Sequence, residues 1–224
     1  MVGSANTRQT QGSRKVQDKP MRESTHPTSD FFGQTATLLA AVELLIQSFD
    51  NGGKLLICGN GGSAADCDHI VGELMKGFCL PRRLSADDRA RFGNNDDATL
   101  ADQLQYGLPA ISLVSHSALI TAIANDIAGD MIFAQQVWGI GRDGDVLLAI
   151  STSGQSANVI NAAKTAHARG LRVIGLTGQT GGALRALCDV VITVPSNDVA
   201  LIQEMHLPVY HELCRRLEAH YFDD

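Results

Sequence analysis

The stretch "LLICGNGGSAADCDHIVGEL", residues 55–74, decides the fold. An apolar, β-prone run (55–58) breaks into the small-residue turn "GNGGS" (59–63) and passes directly into a segment patterned as a helix. A strand that ends in glycine and turns straight into a helix is the repeating unit of parallel α/β sheets. The same turn invites a ligand, because small residues let the backbone come close and the helix start offers unpaired amides at the positive end of its dipole.

The same arrangement recurs along the chain. Short apolar runs at 54–58, 110–114, 145–150, 172–176 and 190–194 each lead through a loop toward a helical segment, at 64–77, 115–125, 131–140, 156–169, 182–187 and 200–219. Gly170 follows "KTAHAR" as a helix stop, and Gly178, Gly181 and Gly182 mark a turn. Right-handed crossovers between such strands predict a doubly wound, five-stranded parallel sheet with helices on both faces. The run "FFGQTATLLAAVELLIQSF" (31–49) is apolar on more than one face of a helix, which points to burial in an oligomer. Residues 1–30 are poor in large apolar side chains and read as a flexible tail, leaving 31–224 as one domain. The polar segment 82–105, with Ser85 as a helix cap, reads as an excursion from the core, a lid or a surface element.

Composition narrows the function. A chain of 224 residues with net charge −6 has no basic field for a polynucleotide, so nucleic acid is not an expected partner. No apolar run is long enough to span a bilayer, and the N-terminal residues lack the apolar core of a signal peptide, so a soluble, unexported protein is expected. Five cysteines without paired spacing read as reduced thiols of a cytoplasmic protein.

Two loops could hold a phosphorylated small molecule: "GNGGS" and "STSGQS" (151–156), the second adding the hydroxyls of Ser151, Thr152, Ser153 and Ser156. Neither carries a Walker lysine, and no acidic residue completes a dinucleotide fingerprint. Hydroxyl clusters also cap helices, but two such loops at strand carboxyl ends favour a ligand. His69 and Glu73 stand i, i+4 on one helix face, a spacing that serves a metal, an acid/base pair or a plain surface pair. Gln203, His206 and His211 lie in the last helix. About 12 Å of rise and an offset near 80° separate Gln203 from His211, so both reach one metal only from beside the helix or from two subunits, unless Pro208 kinks it.

Taken in order, "CGNGGSAADCDHIVGEL", "TAIANDIAGDMIFAQQV", "GDVLLAISTSGQSANVINAAK", "GLTGQTGGALRALCDVVITVPS" and "IQEMHLPVYH" resemble the sugar isomerase (SIS) domain proteins, and among them the sedoheptulose 7-phosphate (phosphoheptose) isomerases. The resemblance implies the SIS fold, with the first and last helices serving oligomerisation. It implies a metal set of His69, Glu73, Gln203 and His211 holding one zinc ion, with Glu73 and His211 catalytic. It implies substrate contacts from Asn60, Gly61, Gly62, Ser63, Glu73, Asn125, Asp126, Ser151, Thr152, Ser153, Ser156 and Gln203. It further implies a homotetramer with sites at subunit interfaces. The expected activity is aldose–ketose isomerisation of D-sedoheptulose 7-phosphate to D-glycero-D-manno-heptose 7-phosphate through a metal-assisted enediol, the first step of nucleotide-activated heptose biosynthesis. The alternatives are a SIS enzyme on another sugar phosphate and a non-enzymatic SIS protein that binds the replication initiator. Two departures stand out: Ala200 replaces an acidic residue that some members carry, and 82–105 is longer than the usual link. Cys58, Cys67 and Asp66 read as structural.

Overall fold

The computed structural model describes residues 31–93 and 97–223; the tail expected over 1–30 lies outside them. Five strands form one parallel sheet: β1 (Leu55–Cys58), β2 (Ala110–Ser112), β3 (Val146–Ser151), β4 (Arg172–Thr177) and β5 (Val190–Thr193), in the order β2-β1-β3-β4-β5. The helices are α1 (Thr35–Asp50), α2 (Gly62–Met75), α3 (Ala86–Ala90), α4 (Asp97–Gln103), α5 (Ser117–Asp126), α6 (Ile132–Ile140), α7 (Ala157–Ala168) and α8 (Val199–Phe222). The helix expected at 182–187 is a 3-10 turn, Ala183–Leu187.

Both faces of the sheet are covered, so the inner strands read as continuous apolar runs instead of alternating ones. Every residue of β1 and β3 is buried. Alternate side chains still part to opposite sides. Leu55, Ile57, Leu148 and Ile150 join the core under α1, α2 and α8, while Leu56, Cys58, Leu147 and Ala149 join the core under α6 and α7. Order reverses between β1 and β3, and a reversal of this kind opens a crevice at the strand carboxyl ends where ligands bind in open α/β sheets. The helix after β1 crosses one face and the helix after β3 crosses the other, so "GNGGS" and "STSGQS" flank that crevice.

α8 runs unbroken through Pro208. It packs along α2 and α1 and sets the spacing of the site. The segment 82–105 departs from expectation at its first residue: Arg82 is fully buried and bonded to Glu218 of α8 (Nε to Oε1, 2.9 Å). Glu218 also accepts the backbone N–H groups of Phe78, Cys79 and Leu80. Arg82 in turn donates to the carbonyls of Glu73 and Leu74 at the end of α2. The rest of the segment is the helix pair α3 and α4, with Ser85 capping α3 as expected and an Arg83–Gln105 bridge at its base. Among the described residues, no helix is long and apolar enough to cross a membrane.

Candidate active site

The turn after β1 is built on glycine for two distinct reasons. Gly61 sits at φ +56°, where a side chain would be strained. At Gly62 a Cβ would lie 2.6 Å from the Gln203 carboxamide, so its bare backbone is what lets Gln203 rest on the first turn of α2. Ser63, expected as a substrate contact, is buried behind the turn. Asn60 exchanges two hydrogen bonds with Asn158 in the first turn of α7 (2.9 and 2.8 Å), tying this loop to the helix that leaves β3.

In the second loop Ser151 Oγ accepts from the Gly154 amide and meets Ser156 Oγ, both at 3.1 Å. Gly154, at φ +63°, sits so close to Gly181 that a Cβ would meet its carbonyl oxygen at 2.0 Å, and the Gly178 amide donates to the Thr152 carbonyl (3.0 Å). The turn after β4 therefore supports the turn after β3. Ser156, the cap residue of α7, does not bond the first-turn amides through its side chain. The α2 amides of Ser63, Ala64 and Ala65 already bond the Asn60 and Gly61 carbonyls, so the α7 start, beside the serine hydroxyls, is the end that suits a phosphate.

Two turns along α2, His69, Glu73 and His211 meet. His69 Nε2 lies 3.2 Å from Glu73 Oε1 and 3.5 Å from His211 Nε2, with the two imidazoles edge to face at 5.0 Å. The other oxygen of Glu73 accepts from Lys76 Nζ (2.7 Å). Glu73 is 13% exposed against 42% for the His69 side chain, so the carboxylate is sheltered while the imidazole edge faces the opening. Phe78 closes the far side of His211 at 5.4 Å.

Two imidazoles and a carboxylate are donors that zinc takes. They are closed on one another by hydrogen bonds, and among the described residues no three His, Cys, Asp or Glu side chains stand ready around a common centre. Gln203 and His211, separated by the pitch of α8, touch opposite parts of α2: Gln203 lies against Gly62 and His211 against His69. Asn125 and Asp126 end α5, exposed and bonded to each other (2.8 Å), and among the described residues no hydrogen bond joins them to the His69 cluster. His206, one turn past Gln203, is fully buried, and burial pushes its pKa down to about 4, with the Thr177 backbone opposing weakly.

Several participants escape a reading of the chain. Asn158 and Lys76 are such cases, as is Tyr210, whose hydroxyl reaches His69. Asp66, read as structural, accepts a hydrogen bond from that hydroxyl, and burial raises its carboxyl pKa while Tyr210 and His69 oppose the shift. Cys58 keeps its structural reading: burial pushes its thiol up to about 12.

The profile of the SIS domain family matches residues 28–106 and 95–178. With the five-stranded parallel sheet and its loops, this defines the class: the chain is a SIS-domain protein. The phosphoheptose isomerase of Roseiflexus sp. is 39% identical over 191 residues, covering 85% of each chain. That of Thiobacillus denitrificans is 44% identical over 179 residues, 79% of each. The solved phosphoheptose isomerase of Neisseria gonorrhoeae superposes with a TM-score of 0.68 at 38% identity, over 83% of this chain and 87% of that one. Within the SIS class, this chain belongs to the phosphoheptose isomerase family.

Proposed function

We propose that the chain converts D-sedoheptulose 7-phosphate to D-glycero-D-manno-heptose 7-phosphate, the first step of nucleotide-activated heptose biosynthesis. The reaction is an aldose–ketose isomerisation, as in its phosphoheptose isomerase relatives. One observation carries the reading: His69, Glu73 and His211 meet on the helix that leaves the turn tied, through Asn60 and Asn158, to the anion-suited serine loop.

The hydroxyls of Ser151, Ser153 and Ser156 and the first amides of α7 hold the phosphate. Asn60 and Gln203 meet the sugar chain from the turn after β1. Glu73 moves a proton between C1 and C2 through the enediol, since its Oε1 is turned away from Lys76, and His211 moves the proton at the sugar oxygens. His69, Glu73 and His211, with Gln203 as the fourth donor, would hold zinc, which supplies Lewis-acid polarisation of those oxygens when bound. The working form is a homotetramer with its sites at subunit interfaces, a reading supported by exposed apolar side chains such as Leu119, Ile127, Trp138 and Leu207. The free thiols fit a reducing cytoplasm.

The test is incubation of the purified full chain with sedoheptulose 7-phosphate, followed by NMR, with zinc, without it, and with chelator. Aldose formation that falls with chelator and returns with zinc is expected. No conversion under any metal condition would sink the reading.

A further inference from the structure

Pairing of β1 with β3 runs to Cys58 and Ala149, and the two loops that flank the crevice leave the sheet just past it. Beyond that point two side chains join them. Asn60, in the turn after β1, donates from Nδ2 to Asn158 Oδ1 (2.9 Å), and Asn158, the second residue of α7, donates from Nδ2 to Asn60 Oδ1 (2.8 Å). Among the described residues no other hydrogen bond joins 60–63 to 151–159. The Asn60 carbonyl also accepts from the Ser63 amide (3.0 Å) at the first turn of α2. One residue thus connects the start of the helix that carries His69 and Glu73 to the start of the helix beside the serine loop.

The Val159 amide fixes which way the pair faces. It donates to Asn158 Oδ1 (3.0 Å), so that atom is the oxygen, and the Asn60 atom opposite it must be the nitrogen. The Asn158 oxygen then has both lone pairs in use. Asn60 spends one proton and one lone pair on the bridge and keeps one of each. Asn60 is also the exposed member, whereas Asn158 is half-buried. Asn158 is therefore placed to hold, and Asn60 to present.

We propose that Asn158 is a positioning residue for the isomerisation, acting through Asn60. It holds the sugar-facing turn at a fixed offset from the serine loop and the α7 start proposed to take the phosphate. The two ends of one substrate are then addressed by parts joined through a single carboxamide pair, and a misplacement of about 1 Å between such parts costs up to roughly a hundredfold in rate. The catalytic consequence rests on the isomerase reading; the bridge itself does not.

The experiment uses the full chain and three variants: Asn158→Ala, Asn60→Ala and the double. With sedoheptulose 7-phosphate, Asn158→Ala should lower kcat/KM by about 10- to 100-fold. Inhibition by inorganic phosphate should hold, because the serine hydroxyls and the α7 amides remain. In the Asn60→Ala background the same change should cost nothing further, since its route to the substrate is already gone. A helix or phosphate grip damaged in its own right would show its loss in both backgrounds. Independently of turnover, 15N-asparagine labelling reads the Asn60 carboxamide, assigned by its absence in Asn60→Ala, and its signal should move in Asn158→Ala. Full activity in Asn158→Ala, an equal loss in both backgrounds, or an unmoved Asn60 signal would overturn the proposal. Should Asn158→Ala fail to fold by circular dichroism, Asn158→Ser also lacks the carboxamide and takes its place. A chain that does not turn over sedoheptulose 7-phosphate but whose Asn60 signal moves would overturn the function and leave the bridge; an unmoved signal in an active enzyme would overturn this inference alone.

Discussion

Glu73 commits each carboxylate oxygen to a different neighbour, one to Lys76 and one to the His69 edge. Replacing it with glutamine keeps size and hydrogen bonding but removes the proton acceptor. Glu73→Gln should lower kcat by roughly a hundred- to ten-thousand-fold, the usual contribution of a placed general base. The proposed phosphate grip lies at the turn after β3, so inhibition by inorganic phosphate and the circular dichroism spectrum should be unchanged in that variant. An active Glu73→Gln enzyme would show that another group moves the proton. Such roles were only partly legible in the sequence. His69 and Glu73 are four residues apart on one helix, a local relation that spacing displays. Tyr210 and Asp66 are separated by 144 residues, and their bond exists only because α8 lies along α2.

At the scale of elements, the sequence located the strands to within about two residues at each end, because glycine-rich turns and apolar runs mark their own limits. Arg82 was misread for a physical reason. An arginine within "PRRLSADDRAR" looks solvated, and its burial depends on Glu218, 136 residues away. The pair pins the end of α2, the loop 76–82 and α8 at one point, with Arg82 itself capping the Glu73 carbonyl. Removing one partner of a buried pair typically costs about 3–5 kcal/mol. Arg82→Met should fall toward the lower end of that range, since three backbone amides remain on Glu218. Urea unfolding checks the loss. A drop in kcat beyond the unfolded fraction would show that the same joint also aims Glu73.

Across the whole molecule, stability depends on keeping His206 neutral. It is completely enclosed, and the weak approach of the Thr177 backbone does not offset the cost of burying its charged form. Its pKa of about 4 when folded lies below the ordinary value of 6.5, so between these limits the unfolded chain binds the extra proton. Stability from this group is therefore complete above about pH 6.5 and declines as pH falls toward 4, by on the order of 3 kcal/mol. Urea midpoints at pH 7 and pH 5 should differ in the unaltered protein and draw together in His206→Leu; an equal gap in both would assign the acid sensitivity elsewhere. The two-sided sheet has a consequence of another kind. The proposed phosphate grip belongs to the β3 and β4 turns and to α7 on one face, whereas the side chains proposed to move protons belong to α2 and α8 on the other. Strand pairing holds these halves at a fixed separation, so neither can retreat to admit a longer or shorter sugar. Altered chain-length preference must then arise by changing the site-facing residues of α8, while its core-facing residues and the Glu218 joint stay fixed.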